Sequence, residues 1–226
     1  MYTLITANRN YSSWSLRPWM LMKGLGIAFE DRIEPFTAPE NYEAFRAFSP
    51  TGQVPVLLHD GRKVYDSMGI ALYLADRHDE VWPREPEARA WAQCATAEMH
   101  SGFSALRNGC TMNVGVRVRP KPMSDPLKAN VARVRELWEE GLARFGGPYL
   151  AGDTFSAVDA FFSPVAWRVR TYGLDVGMGK NWVDHIIAHP AMQQWEAEAL
   201  AESWREVGHE EELRSCGDVI ADYRTG

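Results

Sequence analysis

The sequence predicts a chain in two parts: a small α/β unit over residues 1–80, followed by an all-α unit over residues 87–226. Three observations predict it. Short β-prone runs fall within the first 80 residues. Beyond them, apolar residues recur at spacings of three and four, the period of a helix, and no strand signal stands out. Between the two, the segment around Pro83 and Pro86 interrupts both patterns.

The first unit reads β-α-β-α-β-β-α. Residues 2–6 are a short β-prone run. A helix is expected over 15–25, after a serine-rich cap, with Gly24 and Gly26 able to end it. Residues 28–33 read as a second strand. A short helix over 41–48 is closed by Ser49-Pro50-Thr51-Gly52. A third strand, 55–59, turns through Asp60-Gly61 into a fourth at 63–65. Asp66 and Ser67 then cap a helix running to about Arg77.

In the second unit, residues 85–110 read as one long helical stretch and 109–126, polar and rich in proline, as a loop. Residues 127–145 are helical, with Val131, Val134, Leu137, Trp138 and Leu142 on one face. Gly146-Gly147-Pro148 breaks that helix. An apolar helix over 156–171 opens on Ser156-Ala157-Val158-Asp159, the spacing of a capping box with an aspartate in place of the usual Glu or Gln. One or two shorter helices cover 182–202. The polar last twenty residues are expected to wrap the surface or to be mobile.

Composition narrows the function. Apolar residues make up 46% of the 226, and nine tryptophans suggest large buried contacts or an aromatic-walled pocket. A net charge of −6 argues against a nucleic-acid partner, which needs a basic face. No apolar run approaches the ~20 residues of a membrane span. The N-terminus lacks the pattern of a secretory signal, and three widely spaced cysteines fit a reducing compartment. A cytoplasmic protein with no membrane partner and no metal site is expected.

Three segments carry possible chemistry. Asn10-Tyr11-Ser12-Ser13-Trp14-Ser15 lies between the first strand and the first helix, where free N–H groups favour negative charge. Thioredoxin-type redox proteins place Cys-x-x-Cys there. Ser12 and Ser15 hold those outer positions here, and a hydroxyl can donate to another molecule's thiolate. The same residues also read as an ordinary serine cap. In Gln53-Val54-Pro55 a proline opens a strand after a glycine-containing loop. A cis bond there would turn the Val54 N–H and C=O outward to pair with an extended peptide, whereas a trans proline at a strand start is the plain alternative. Asp66 and Ser67 suit the head group of an α-amino acid, or are simple caps.

Taken together, in this order and spacing, the segments resemble the cytosolic glutathione transferases, most closely the serine-type zeta and tau classes. The resemblance covers residues 1 to about 200 and includes Thr154–Asp159 as the family's capping box. It implies a thioredoxin-like N-terminal domain and a helical C-terminal domain. It implies glutathione as co-substrate or cofactor, with Ser12 as the catalytic hydroxyl. Ser13, Trp14, Gln53, Val54, Pro55, Asp66 and Ser67 would bind the tripeptide. Val54 would pair with the cysteinyl backbone and Asp66-Ser67 would hold the γ-glutamyl end. Trp14 stands where the zeta class has cysteine.

The resemblance further implies a pocket for a small electrophile, built from Tyr11, Phe103, Arg107, Trp167, Arg168 and Arg170, with Met99, Met112 and Tyr172 as further candidates. Zeta-type maleylacetoacetate isomerases use an arginine of the helical domain for a substrate carboxylate, and Arg168 and Arg170 are the stand-ins here. The implied activity is conjugation of glutathione to an electrophile, in detoxification, by a homodimer. The alternatives are a glutathione-dependent cis–trans isomerase and a non-catalytic glutathione-binding module.

Overall fold

The computed structural model describes residues 1–37 and 41–225. The first domain contains β1 (Tyr2–Thr6), α1 (Ser13–Gly24), β2 (Phe29–Ile33), α2 (Asn41–Arg46), β3 (Val56–His59), β4 (Arg62–Val64) and α3 (Ser67–Ala75). This is the thioredoxin-like order read from the sequence. Strands pair as β2-β1-β3-β4, with β1 and β2 parallel and the other two pairs antiparallel. Leu4, Ile5, Val56 and Leu57 are fully buried within the sheet.

The second domain contains α4 (Pro86–Ser101), α5 (Ser104–Gly109), β5 (Val116–Pro120), α6 (Asp125–Phe145), α7 (Ala157–Tyr172), α8 (Gly179–Ile187), α9 (Pro190–Ala201), α10 (Val207–Cys216) and β6 (Gly217–Asp222). Helix α7 is its axis and packs on α1, α4 and α8. All but one of its residues are buried, as in a helix enclosed on every side. Asp159 fixes its start. That buried carboxylate accepts the Ser156 N–H at 3.1 Å, the Leu150 N–H at 2.9 Å and the Trp182 indole N–H at 2.9 Å.

Two expectations need correction. The long helix over 85–110 is two helices. A Cβ on Gly102 would lie 2.8 Å from the Glu98 carbonyl oxygen, and Phe103 adopts a left-handed φ of 60°. The chain therefore turns where the apolar spacing ran on uninterrupted. The loop over 109–126 contains β5, which pairs antiparallel with β6, Val116 opposite Asp222. Strands thus exist beyond residue 80, and they escape a reading of local sequence because each half of this ribbon is short and its partner is remote along the chain. Of the two alternatives for the last twenty residues, the structure shows the wrap: the Tyr223 N–H donates to Gly115 O at 2.8 Å and the Thr225 N–H to Leu200 O at 2.9 Å.

The domains are joined through large side chains. Trp19 of α1 meets Trp195 of α9 edge to face at 5.0 Å between ring centroids. The Arg9 guanidinium lies 4.4 Å from the Trp195 ring centroid and pairs with Glu198 at 2.8 Å and with Asp31. This buried junction sets the position of the loop between β1 and α1.

Candidate active site

A cleft of about 1010 Å³ runs between the domains, and all three of the segments singled out in the sequence reach it. Tyr11, Ser12, Ser13 and Trp14 form one end, Gln53, Val54 and Pro55 a second wall, and Tyr65 and Asp66 a third.

The strap over residues 8–12 is held from both domains. Glu202 accepts the backbone N–H of Arg9 and, at 3.2 Å, that of Asn10. The Asn10 amide donates to Ala199 O at 2.6 Å, and its oxygen accepts the Gly115 N–H at 3.1 Å. The Trp195 indole N–H donates to Arg9 O at 2.9 Å. These contacts place the start of α1 at the cleft.

Ser12 is the N-cap of α1, yet its side chain makes no cap bond to the helix backbone. It donates to Ser15 Oγ at 2.7 Å instead, and Ser15 Oγ also accepts the Ala7 N–H at 3.2 Å. The N–H groups of Trp14 and Ser15 have no partner among the described residues. Free first-turn donors next to a hydroxyl that is 5% exposed make a site for negative charge. Tyr11 is committed elsewhere: its hydroxyl donates to Glu210 Oε1 at 2.6 Å, and burial together with that carboxylate pushes its pKa up. It is therefore a poor source of a proton for a ligand.

The Val54–Pro55 bond is cis. The N–H and C=O of Val54 have no partner among the described residues, and so are open to an extended peptide. Gly52 lets the loop reach this position, with φ of +68° and a Cβ direction that runs 2.6 Å from the Tyr42 ring. Asp66 caps α3, its Oδ1 accepting the Met68 N–H at 2.9 Å, while Oδ2 lies 3.3 Å from His100 Nε2. Ser67 departs from expectation. Its hydroxyl is fully buried, does not line the cleft, and has no partner among the described residues.

The helical domain supplies a cationic wall. Arg107 and Arg168 line the cleft, and Arg17, from α1 of the first domain, lies behind it at 1% exposure. Trp14 joins this cluster: Arg17 Cζ lies 4.1 Å and Arg107 Cζ 4.7 Å from its ring centroid, and His100 meets it edge-on at 5.3 Å. Each arginine donates to backbone carbonyls. Arg107 bonds Met99 O and, at 2.9 Å, His100 O, and Arg168 bonds Cys110 O at 2.8 Å and Pro164 O at 3.1 Å. Arg17 Nε and Nη1 have no partner among the described residues. Burial, with repulsion from Arg107 and Arg168 next, holds the Arg17 pKa well below its ordinary value, and burial brings Arg168 down to about 10. Such a wall is short of negative charge.

Three residues expected at the substrate pocket lie elsewhere. Trp167 is fully buried in the core. Phe103 faces inward against Phe162, at 6.5 Å between centroids. Arg170 is exposed and pairs with Glu196 at 3.0 Å. Met99 and Tyr172 are likewise buried and off the cleft, whereas Met112 lines it. Conversely, Phe36, Thr111, His209 and Glu212 line the cleft without having been singled out. For His209 one signal existed, the three-residue spacing from Glu206.

Residues 11–77 match the family model described as "Glutathione S-transferase, N-terminal domain", and residues 124–198 match "Glutathione S-transferase, C-terminal domain". The chain is 25% identical to glutathione S-transferase 1 of Dianthus caryophyllus over 73% of this chain and 76% of that protein. It is 24% identical to mouse maleylacetoacetate isomerase over 96% of this chain and 94% of that protein. Among solved structures, a glutathione transferase homologue from Burkholderia with bound glutathione superposes with a TM-score of 0.66 at 22% identity, over 88% of this chain and 97% of that one.

Proposed function

The chain belongs to the glutathione S-transferase superfamily, and from that premise we propose that it uses Ser12 to activate the thiol of glutathione toward a small electrophile. The observation that carries this reading is the convergence of Ser12, Val54 and Asp66 on one cleft. The unpaired backbone groups of Val54 fit the cysteinyl residue of an extended tripeptide, and Asp66 suits its α-ammonium. Gln53 stands where the glycyl end would lie.

Energetics agree. A free thiol has a pKa of ~8.5, so only a few per cent is ionised near neutrality. Lowering it by ~2 units requires ~2.7 kcal/mol of preferential stabilisation of the thiolate. One charge-assisted hydrogen bond from Ser12 and the first-turn N–H groups of α1 supply that order of energy. The protein binds, orients and ionises, and glutathione brings the nucleophile.

A second reading is favoured by Arg107 and Arg168, whose guanidiniums suit a carboxylate of the second substrate. On that reading the reaction is cis–trans isomerisation of a dicarboxylic compound, with glutathione returned. Turnover of maleylacetone without loss of glutathione selects this second reading, and conjugation of a chloro-dinitro arene selects the first. Silence with both, alongside measurable glutathione binding, leaves a non-catalytic binding module. The proposal includes a homodimer and a cytoplasmic setting, in which the three free cysteines stay reduced.

A further inference from the structure

Helix α10 brings His209 to the cleft, held by the helix's own N-cap Glu206, and neither residue belongs to the set assigned above. Glu206 is the N-cap of α10 and is 6% exposed. Its carboxylate accepts the Gly208 N–H at 3.0 Å, the His209 N–H at 2.7 Å and the His209 imidazole Nδ1 at 2.6 Å. An ionised carboxylate can only accept, so Nδ1 carries a ring proton, and in the neutral form of the ring Nε2 is the nitrogen that keeps its lone pair. Nε2 has no partner among the described residues, and His209 lines the cleft.

The ring cannot turn freely. It stacks between Tyr11 and Phe36, each at 4.9 Å between centroids, and both of those residues line the same cleft as Ser12. The charges around it are accounted for. Glu210 is held by the Tyr11 hydroxyl and Arg224, Arg224 also pairs with Asp222 at 2.8 Å, and Glu212 lies on the cleft wall. Among the described residues Glu206 is the carboxylate bonded to the imidazole. Burial opposes its ionisation, but the three hydrogen bonds outweigh it and hold its pKa below the ordinary carboxyl value. An imidazole fixed by a charged partner, with its far nitrogen open to a reaction cleft, is the geometry of a general base.

We propose that His209, oriented by Glu206, is the proton carrier of this cleft. The inference rests on the reading that Ser12 holds the sulfur of glutathione. His209 Nε2 takes the thiol proton: the S–H bond breaks, an N–H bond forms, and the electron pair stays on sulfur. When that pair forms a C–S bond to an activated alkene, the alkene's π pair moves onto its activating carbonyl. The imidazolium then returns its proton to the neighbouring carbon, and neutral His209 is restored. In an isomerisation, which expels the same sulfur, the proton goes back to the thiolate instead.

The test follows the proton on the full chain, with glutathione and S-methylglutathione as probes in weak buffer near neutral pH. Glutathione binding to the native protein is expected to generate thiolate absorbance with little proton release. His209→Gln should bind equally well and release about one proton per site. The His209 ring resonances in the native protein should move toward imidazolium with glutathione and not with S-methylglutathione. In turnover with an activated alkene, His209→Gln should fall roughly 100-fold. Full proton release from the native protein, with its ring signals unmoved, overturns the proposal while leaving the Ser12 reading intact. Failure of both ligands to bind in calorimetry overturns the Ser12 reading, and this proposal with it. The resonance measurement needs no variant, so misfolding of His209→Gln leaves the test decisive.

Discussion

Ser12 Oγ donates to Ser15 Oγ at 2.7 Å, so the hydroxyl proton at the mouth of α1 is held within the first helical turn. A ligand thiolate must therefore draw that proton away from Ser15. A charge-assisted bond to sulfur replaces a neutral one between hydroxyls, and the exchange is favourable. Ser15 acts as a holder that keeps the rotor of Ser12 in place until the ligand arrives.

Replacing Ser15 by alanine separates holding from catalysis. The Ala7 N–H loses its acceptor in a buried place, which costs about 1–3 kcal/mol of stability. The Ser12 proton is released at the same time, so the bound thiol should ionise at least as readily as in the native protein. Chemical denaturation and ultraviolet titration of bound glutathione check the two halves. A thiol harder to ionise in Ser15→Ala would show that Ser15 itself is the donor to sulfur.

Arg107 should matter to charged substrates and little to neutral ones. It lines the cleft and bonds only carbonyls among the described residues, so its charge is available to a substrate anion. Arg107→Gln should lower kcat/KM for a dicarboxylate such as maleylacetone by about 30-fold, equivalent to ~2 kcal/mol for a lost charge partner. A neutral chloro-dinitro arene should change by less than about threefold. Equal losses with both substrates would assign Arg107 to packing against Trp14.

Asp159 gives the fold a pH signature. Burial, opposed by its N–H donors, raises its carboxyl from 3.8 to about 6. A carboxyl with a raised folded pKa contributes stability that is complete below its unfolded value and lost as pH rises through the folded one. The stability of the native protein relative to Asp159→Asn should therefore fall between about pH 4 and about pH 7, by on the order of 2–3 kcal/mol. Denaturant midpoints across that range check it. A flat difference, or one that rises with pH, would contradict it.

Much of this was legible in local sequence. Strand runs, caps and the Val54-Pro55 dipeptide depend on neighbours within a few residues, and they positioned the first domain and three walls of the cleft. The β5–β6 ribbon was not legible because Val116 pairs with Asp222, far along the chain. Helix α7 concealed which arginine faces the cleft. Residues two apart on a helix point about 200° from one another, so Arg168 and Arg170 cannot both reach the same side. A helix buried on nearly every face shows no periodicity to choose between them. Glu206 and His209 were readable as a local pair, but the place of His209 over Tyr11 depends on how the C-terminal segment packs.

The central claim is that Ser12 ionises the thiol of bound glutathione, and its most direct test is the pKa of that thiol, measured by thiolate absorbance in the native protein and in Ser12→Ala. The native protein should bring it ~2 units below the free value of ~8.5, and Ser12→Ala should return it most of the way with glutathione affinity changed less than about threefold. A bound thiol with the same lowered pKa in Ser12→Ala would contradict the account.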